Sequence, residues 1–138
     1  MSKKTGDLEQ LLKHDSKHDL KNFIEQSESV TFSLYFDSLI EKYQISKSLC
    51  ITKSNLDRTY AYQIIQGKRH GSKDKIVQLA LGINCTIEEC NKLLILSDNA
   101  ILYPKNKRDA ILIYALENKL NVFQTNELLM ELDVKILN

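Results

Sequence analysis

The chain has 138 residues, 43% hydrophobic and 27% charged, which suits one compact domain with a real core rather than two. One Pro and four Gly exclude a turn-rich sheet sandwich, so an all-α fold is expected. A net charge of +1 excludes a uniformly basic, non-specific nucleic-acid binder, and any such contact must come from a local patch.

Cys50, Cys85 and Cys90 are an odd number without CxxC spacing and fall on or beside apolar helix faces. That is the pattern of reduced packing residues in an intracellular protein. No run approaches the ~18 apolar residues of a membrane span. Met1-Ser2-Lys3-Lys4 leads into polar sequence instead of a signal-peptide core, so a cytoplasmic protein without membrane contact is expected.

In chain order, residues 7–26 carry Leu8, Leu11, Leu12, Leu20, Phe23 and Ile24 partly on one stripe, broken at Asp15-Ser16 into two short helices. His14 and His18 stand at i, i+4 with no third ligand nearby, and read as a solvated helix face. Phe32, Tyr35, Phe36, Leu39, Ile40 and Tyr43 give Thr31–Lys42 the spacing of a buried helix face. Ser46 caps the next helix, Lys47–Lys53, and Asn55 supplies the left-handed residue of a tight turn. Asp57 caps the helix 58–66, and Gly67 stops it. After the basic loop Lys68-Arg69-His70-Gly71, Ser72 caps a helix to about Leu81, closed by Ile83 and Asn84. Thr86 and Glu89 form a capping box for a further helix to Leu96.

The tail echoes what precedes it. A shift of 35 residues lays Asp74 on Asp109, Ile76 on Ile111, Ala80 on Ala115, Leu81 on Leu116, Asn91 on Asn126 and Leu93-Leu94 on Leu128-Leu129. Two copies are too few for a solenoid, so a second helical hairpin packed on the first is expected. Part of its apolar face (Ile113, Tyr114, Leu128, Leu132) is available for a second subunit. Between the copies, Pro104 suits the first turn of the next helix, and Lys105, Lys107 and Arg108 read as solvated charge, with phosphate contact as the alternative.

Two short helices joined by a three-to-four-residue turn are the geometry of a helix-turn-helix. Major-groove readout needs a helix whose first turn projects polar side chains while its other side is anchored. Ala61, Ile64 and Ile65 can face inward, which leaves Arg58, Thr59, Tyr62 and Gln63 outward as base contacts. Arg58 suits a guanine edge, Gln63 an adenine or a phosphate, and Thr59 a thymine methyl or a phosphate. Of Tyr60 and Tyr62, one is expected to pack under the turn. Lys47, Lys53, Asn55, Lys68, Arg69 and Lys73 are candidates to hold phosphates, with His70 beside them.

The order Ser46-Lys47, Asn55, Asp57-Arg58-Thr59-Tyr60, Gly67, Lys68-Arg69, then Ser72–Leu81 resembles the λ-repressor-like, or XRE-family, helix-turn-helix proteins. The run Thr59–Ile64, Gly67-Lys68-Arg69, Tyr103-Pro104 and Arg108-Asp109-Ala110 is similar to small bacterial regulators of that kind with an added C-terminal helical pair. The resemblance implies a five-helix DNA-binding domain over 29–98, an N-terminal helical arm over 1–28, and a hairpin over 99–138 packed on the domain. It implies a transcriptional regulator on double-stranded DNA, acting as a homodimer through the C-terminal hairpin. Three positions depart from the pattern: Ile51 replaces the usual Ala and would crowd a tight crossing, Ile65 replaces Glu, and Gly71 replaces Pro. They keep open an alternative, a helical scaffold that binds or sequesters a protein partner. With no Gly-rich phosphate loop, GxSxG or HExxH, no enzyme, cofactor or metal site is expected.

Overall fold

A computed structural model describes residues 17–21 and 30–138. Residues 17–21 are helical and exposed; the rest of the expected helix pair over 7–26, His14 included, lies outside the described residues. The chain divides at Thr31/Phe32, and Phe32–Asn138 forms one compact unit. That unit holds α1 (Phe32–Lys42), α2 (Lys47–Ser54), α3 (Arg58–Ile65), α4 (Lys73–Ile83), α5 (Ile87–Leu96), α6 (Lys107–Glu117) and α7 (Val122–Glu131), with no strand among the described residues. The fold is all-α, and none of the described helices is long and apolar enough to cross a membrane.

Local chemistry sets the helix ends. The Ser46 hydroxyl accepts from the Leu49 amide at 3.1 Å, and Asp57 accepts from the Tyr60 amide at 3.0 Å, each satisfying an amide the helix leaves unpaired. Thr86 and Glu89 close a reciprocal capping box, and Asn121 with Gln124 closes a second. Ser72 stands at the start of α4 without a side-chain cap bond, contrary to the expected role. At the C-terminal ends the chain turns through the left-handed region at Gln44, Asn55, Gly67, Asn84, Asp98, Lys119 and Asp133.

α4 is the centre of the unit: every residue from Ile76 to Ile83 is buried. Its main neighbour is α2, and the two meet where α4 has no side chain. A Cβ on Gly82 would lie 2.7 Å from the Cys50 carbonyl oxygen and collide with the Ser54 hydroxyl. The Gln78 amide, itself buried, donates to the Ser54 carbonyl at 3.0 Å and so satisfies the end of α2. Cys50, Ser54 and Gly82 form the close approach, and Ile51 is almost fully buried in the core.

α1 seats on α5 through a cluster of contacts distant in sequence. Glu89 accepts from Lys42 Nζ at 2.7 Å, from the Tyr43 hydroxyl and from the Thr86 amide at 2.9 Å. Burial alone would raise the Glu89 pKa, but these donors overcome it and hold the carboxyl at about 2. The Lys92 ammonium lies 4.6 Å from the Tyr35 ring, a cation–π contact across the same seam.

The 35-residue echo is structural. Leu102 N–H donates to Asn91 Oδ1 at 3.0 Å, and Leu137 N–H to Asn126 Oδ1 at 2.8 Å. Cys85 N–H returns to the Ala80 carbonyl as Leu120 N–H returns to Ala115. The two copies also grip each other reciprocally. Lys73 pairs with Asp109 at 2.9 Å, and Arg108 pairs with Asp74 through two bonds of 2.8 Å. Tyr103 N–H donates to Asp109, and Asn138 N–H to Asp74. When residue i of one copy meets j of the other and the equivalent of j meets the equivalent of i, the relation is a pseudo-twofold rather than a stacking translation. Pro104 lies one turn before α6, in the bend closed by Asn106 N–H to the Tyr103 carbonyl, where its fixed φ suits the second position of a β-turn.

Candidate nucleic-acid interface

α2, the Asn55 turn and α3 present the residues singled out by sequence. Asn55 adopts φ 56°, ψ 41°, the left-handed conformation Asn tolerates, so the chain reverses within three residues. Ala61, Ile64 and Ile65 are buried and anchor α3 on the core. Opposite them Arg58 and Thr59 are exposed, while Tyr62 and Gln63 are half-buried.

Arg58 is oriented. Its Nη1 donates to the Ser48 hydroxyl at 2.9 Å, which links the first turn of α3 to the first turn of α2. Sequence reasoning missed Ser48, because the contact joins residues ten apart on different helices and no local spacing announces it.

The basic loop folds back onto α3. Lys68 N–H bonds to the Gln63 carbonyl at 2.9 Å and Gly67 N–H to Ile64 at 3.0 Å, a Schellman closure with Gly67 at φ 77°. Arg69 then lies over the Tyr60 ring at 5.1 Å, so Tyr60 is the tyrosine tied to the loop. Gly71 sits tightly against the core: a Cβ there would come within 2.9 Å of the Ile76 side chain and 3.1 Å of Ile64, and its carbonyl accepts from the Asn99 amide at 3.0 Å.

The phosphate candidates divide into two groups. Lys53, Asn55, Lys68, Arg69 and His70 are exposed. Lys47 is drawn into an ion pair with Asp37 of α1 at 2.9 Å, and Lys73 is half-buried against Asp109. Lys73 therefore serves the seam between the hairpins. Arg108, read as solvated charge, is likewise structural: beyond Asp74 it donates to the carbonyls of Lys135 and Ile136. Residues 46–75 still carry seven Lys/Arg against two Asp, a local net charge of +5 within a chain of +1.

No family model, curated protein or solved structure matches this chain.

Cys50, Cys85 and Cys90 are free and buried, and burial pushes the Cys50 thiol to about 11 and Cys90 to about 12, with Cys85 raised as well. A buried, protonated thiol packs as a small apolar side chain. Among the described residues no group of three or more His, Cys, Asp or Glu is placed to hold a metal ion.

Proposed function

We propose that this chain is a cytoplasmic DNA-binding regulator, in which α2 and α3 act as a λ-repressor-like helix-turn-helix and α3 enters the major groove. The observation that carries the reading is the tether of Arg58 to Ser48. It fixes a guanidinium at the head of an anchored helix, with the first turns of both helices on one side. The Arg69–Tyr60 contact and the exposed Lys68 set further cations beside the same helix, suited to phosphates flanking the groove. Base discrimination then falls to Arg58, Thr59, Tyr62 and Gln63. Lys53, Asn55, Lys68 and Arg69 fix register on the backbone. A homodimer on a pseudo-palindromic site completes the reading, with Ile113 and the 54%-exposed Tyr114 of α6 as its contact.

Selection of bound sites from random DNA, followed by anisotropy titrations at several salt concentrations, tests it. Arg58→Ala and Gln63→Ala are expected to cost roughly 1–3 kcal/mol each and relax the preference at one base. Lys68→Ala should weaken all sequences alike and reduce the salt slope by about 1. Lys73→Ala should leave that slope unchanged, because its charge is committed to Asp109. Absence of binding at low salt overturns the reading.

A further inference from the structure

The two hairpins are equivalent, but among the described residues only the first has a helix seated on it. α1 meets α5 with Lys42 and Tyr43 bonded to Glu89 and Tyr35 against Lys92, and Cys85, Leu93 and Leu96 continue the Glu89 stripe at helical spacing. Cys85, Glu89 and Leu93 are buried. The 35-residue shift carries this stripe onto Leu120, Gln124, Leu128 and Glu131, with Glu127 in the place of Lys92. There Leu120 and Leu128 are only half-buried, and Gln124, Glu127 and Glu131 are exposed. Phe123, 72% exposed, borders the same strip.

We propose that this outer face of α7 is a docking surface for a basic amphipathic helix of a partner protein, seated as α1 is seated on α5. The shape comes from the equivalence of the hairpins, and the charge from the substitutions between them. On α5 a buried carboxylate takes a lysine from the docked helix. On α7 the carboxylates stand at Glu127 and Glu131, so the incoming helix must bring Lys or Arg to those positions and apolar side chains to Leu120, Phe123 and Leu128. A second copy of the same face is a poor occupant, since it sets Glu127 and Glu131 against like charges. The surface does not depend on the DNA-binding reading.

The test is an amide chemical-shift titration of the full chain with an 18-residue synthetic helix of leucine and lysine in amphipathic register, beside a leucine/glutamate counterpart. The expected result is saturable binding of the lysine helix alone, with shifts concentrated on residues 120–131. Glu127→Lys combined with Glu131→Lys should weaken it at least about tenfold, and Phe123→Ser should weaken it several-fold. All three residues are exposed, so the variants keep the fold. Shifts scattered over the acidic surface, loss of binding from the charge changes but none from Phe123→Ser, or α7 signals that move with protein concentration alone each overturn the proposal.

Discussion

Replacing Arg108 by Ala removes the bidentate pair with Asp74 and two bonds to the carbonyls of Lys135 and Ile136. The side chains of the pair are 23% and 16% exposed, between the exposed pairs that contribute about 0–1 kcal/mol and the buried ones whose breakage costs about 3–5. A loss of about 2 kcal/mol is therefore expected. At about 2.1 cal/mol/K per residue of unfolding entropy over the chain, this lowers Tm by about 7 °C. The pH dependence has a definite sign. Burial would raise the Asp74 carboxyl, but the Arg108 hydrogen bonds and charge hold it below its ordinary value. Its contribution is complete above the usual carboxylate range and is lost as pH falls through the lowered value, so the gap between wild type and Arg108→Ala must narrow in acid. Urea denaturation of Asp74→Ala, Arg108→Ala and the double variant measures the coupling directly. A coupling below about 0.3 kcal/mol, within the error of additive sites, refutes the claim that this pair joins the hairpins.

Glu89→Gln should cost about 1–2 kcal/mol at neutral pH; because the Glu89 carboxyl lies at about 2 in the fold, the difference should shrink as pH falls from about 4.5 toward 2 in a denaturation series. Gly82→Ala should cost about 2–3 kcal/mol by forcing α2 and α4 apart, with part recovered by Ser54→Ala, as read by calorimetry. Gln44→Gly should instead raise stability by about 0.5–1 kcal/mol, since Gln44 is exposed at φ 50°.

The helix pattern was legible because its punctuation is local. Ser46, Asp57, Gly67, Asn84 and Thr86 each act within four residues, and the expected helices from Thr31 to Leu96 differ from the observed ones by one or two residues at their ends. The repeat was legible because identical residues recur at one fixed shift, Asp74 with Asp109, Ala80 with Ala115 and Asn91 with Asn126 among them. What stayed hidden was long-range. Lys73 and Arg108 looked like cations for phosphate or solvent, and only the fold brings Asp109 and Asp74 to them. Glu89 read as half of a capping box, yet it also holds Lys42, 47 residues away. The left-handed turns at Gln44, Asp98, Lys119 and Asp133 were equally silent, as none of these residues is Gly or Asn.

The crossed ion pairs impose a rule on how such a chain can vary. Each hairpin holds the aspartate of the other, so position 74 is constrained by 108 and position 109 by 73, while neither aspartate answers to its own copy. A charge change at one pair must be met inside that pair. Related sequences should show two independent covarying couples, 74 with 108 and 73 with 109, and free divergence between the copies on their outer faces.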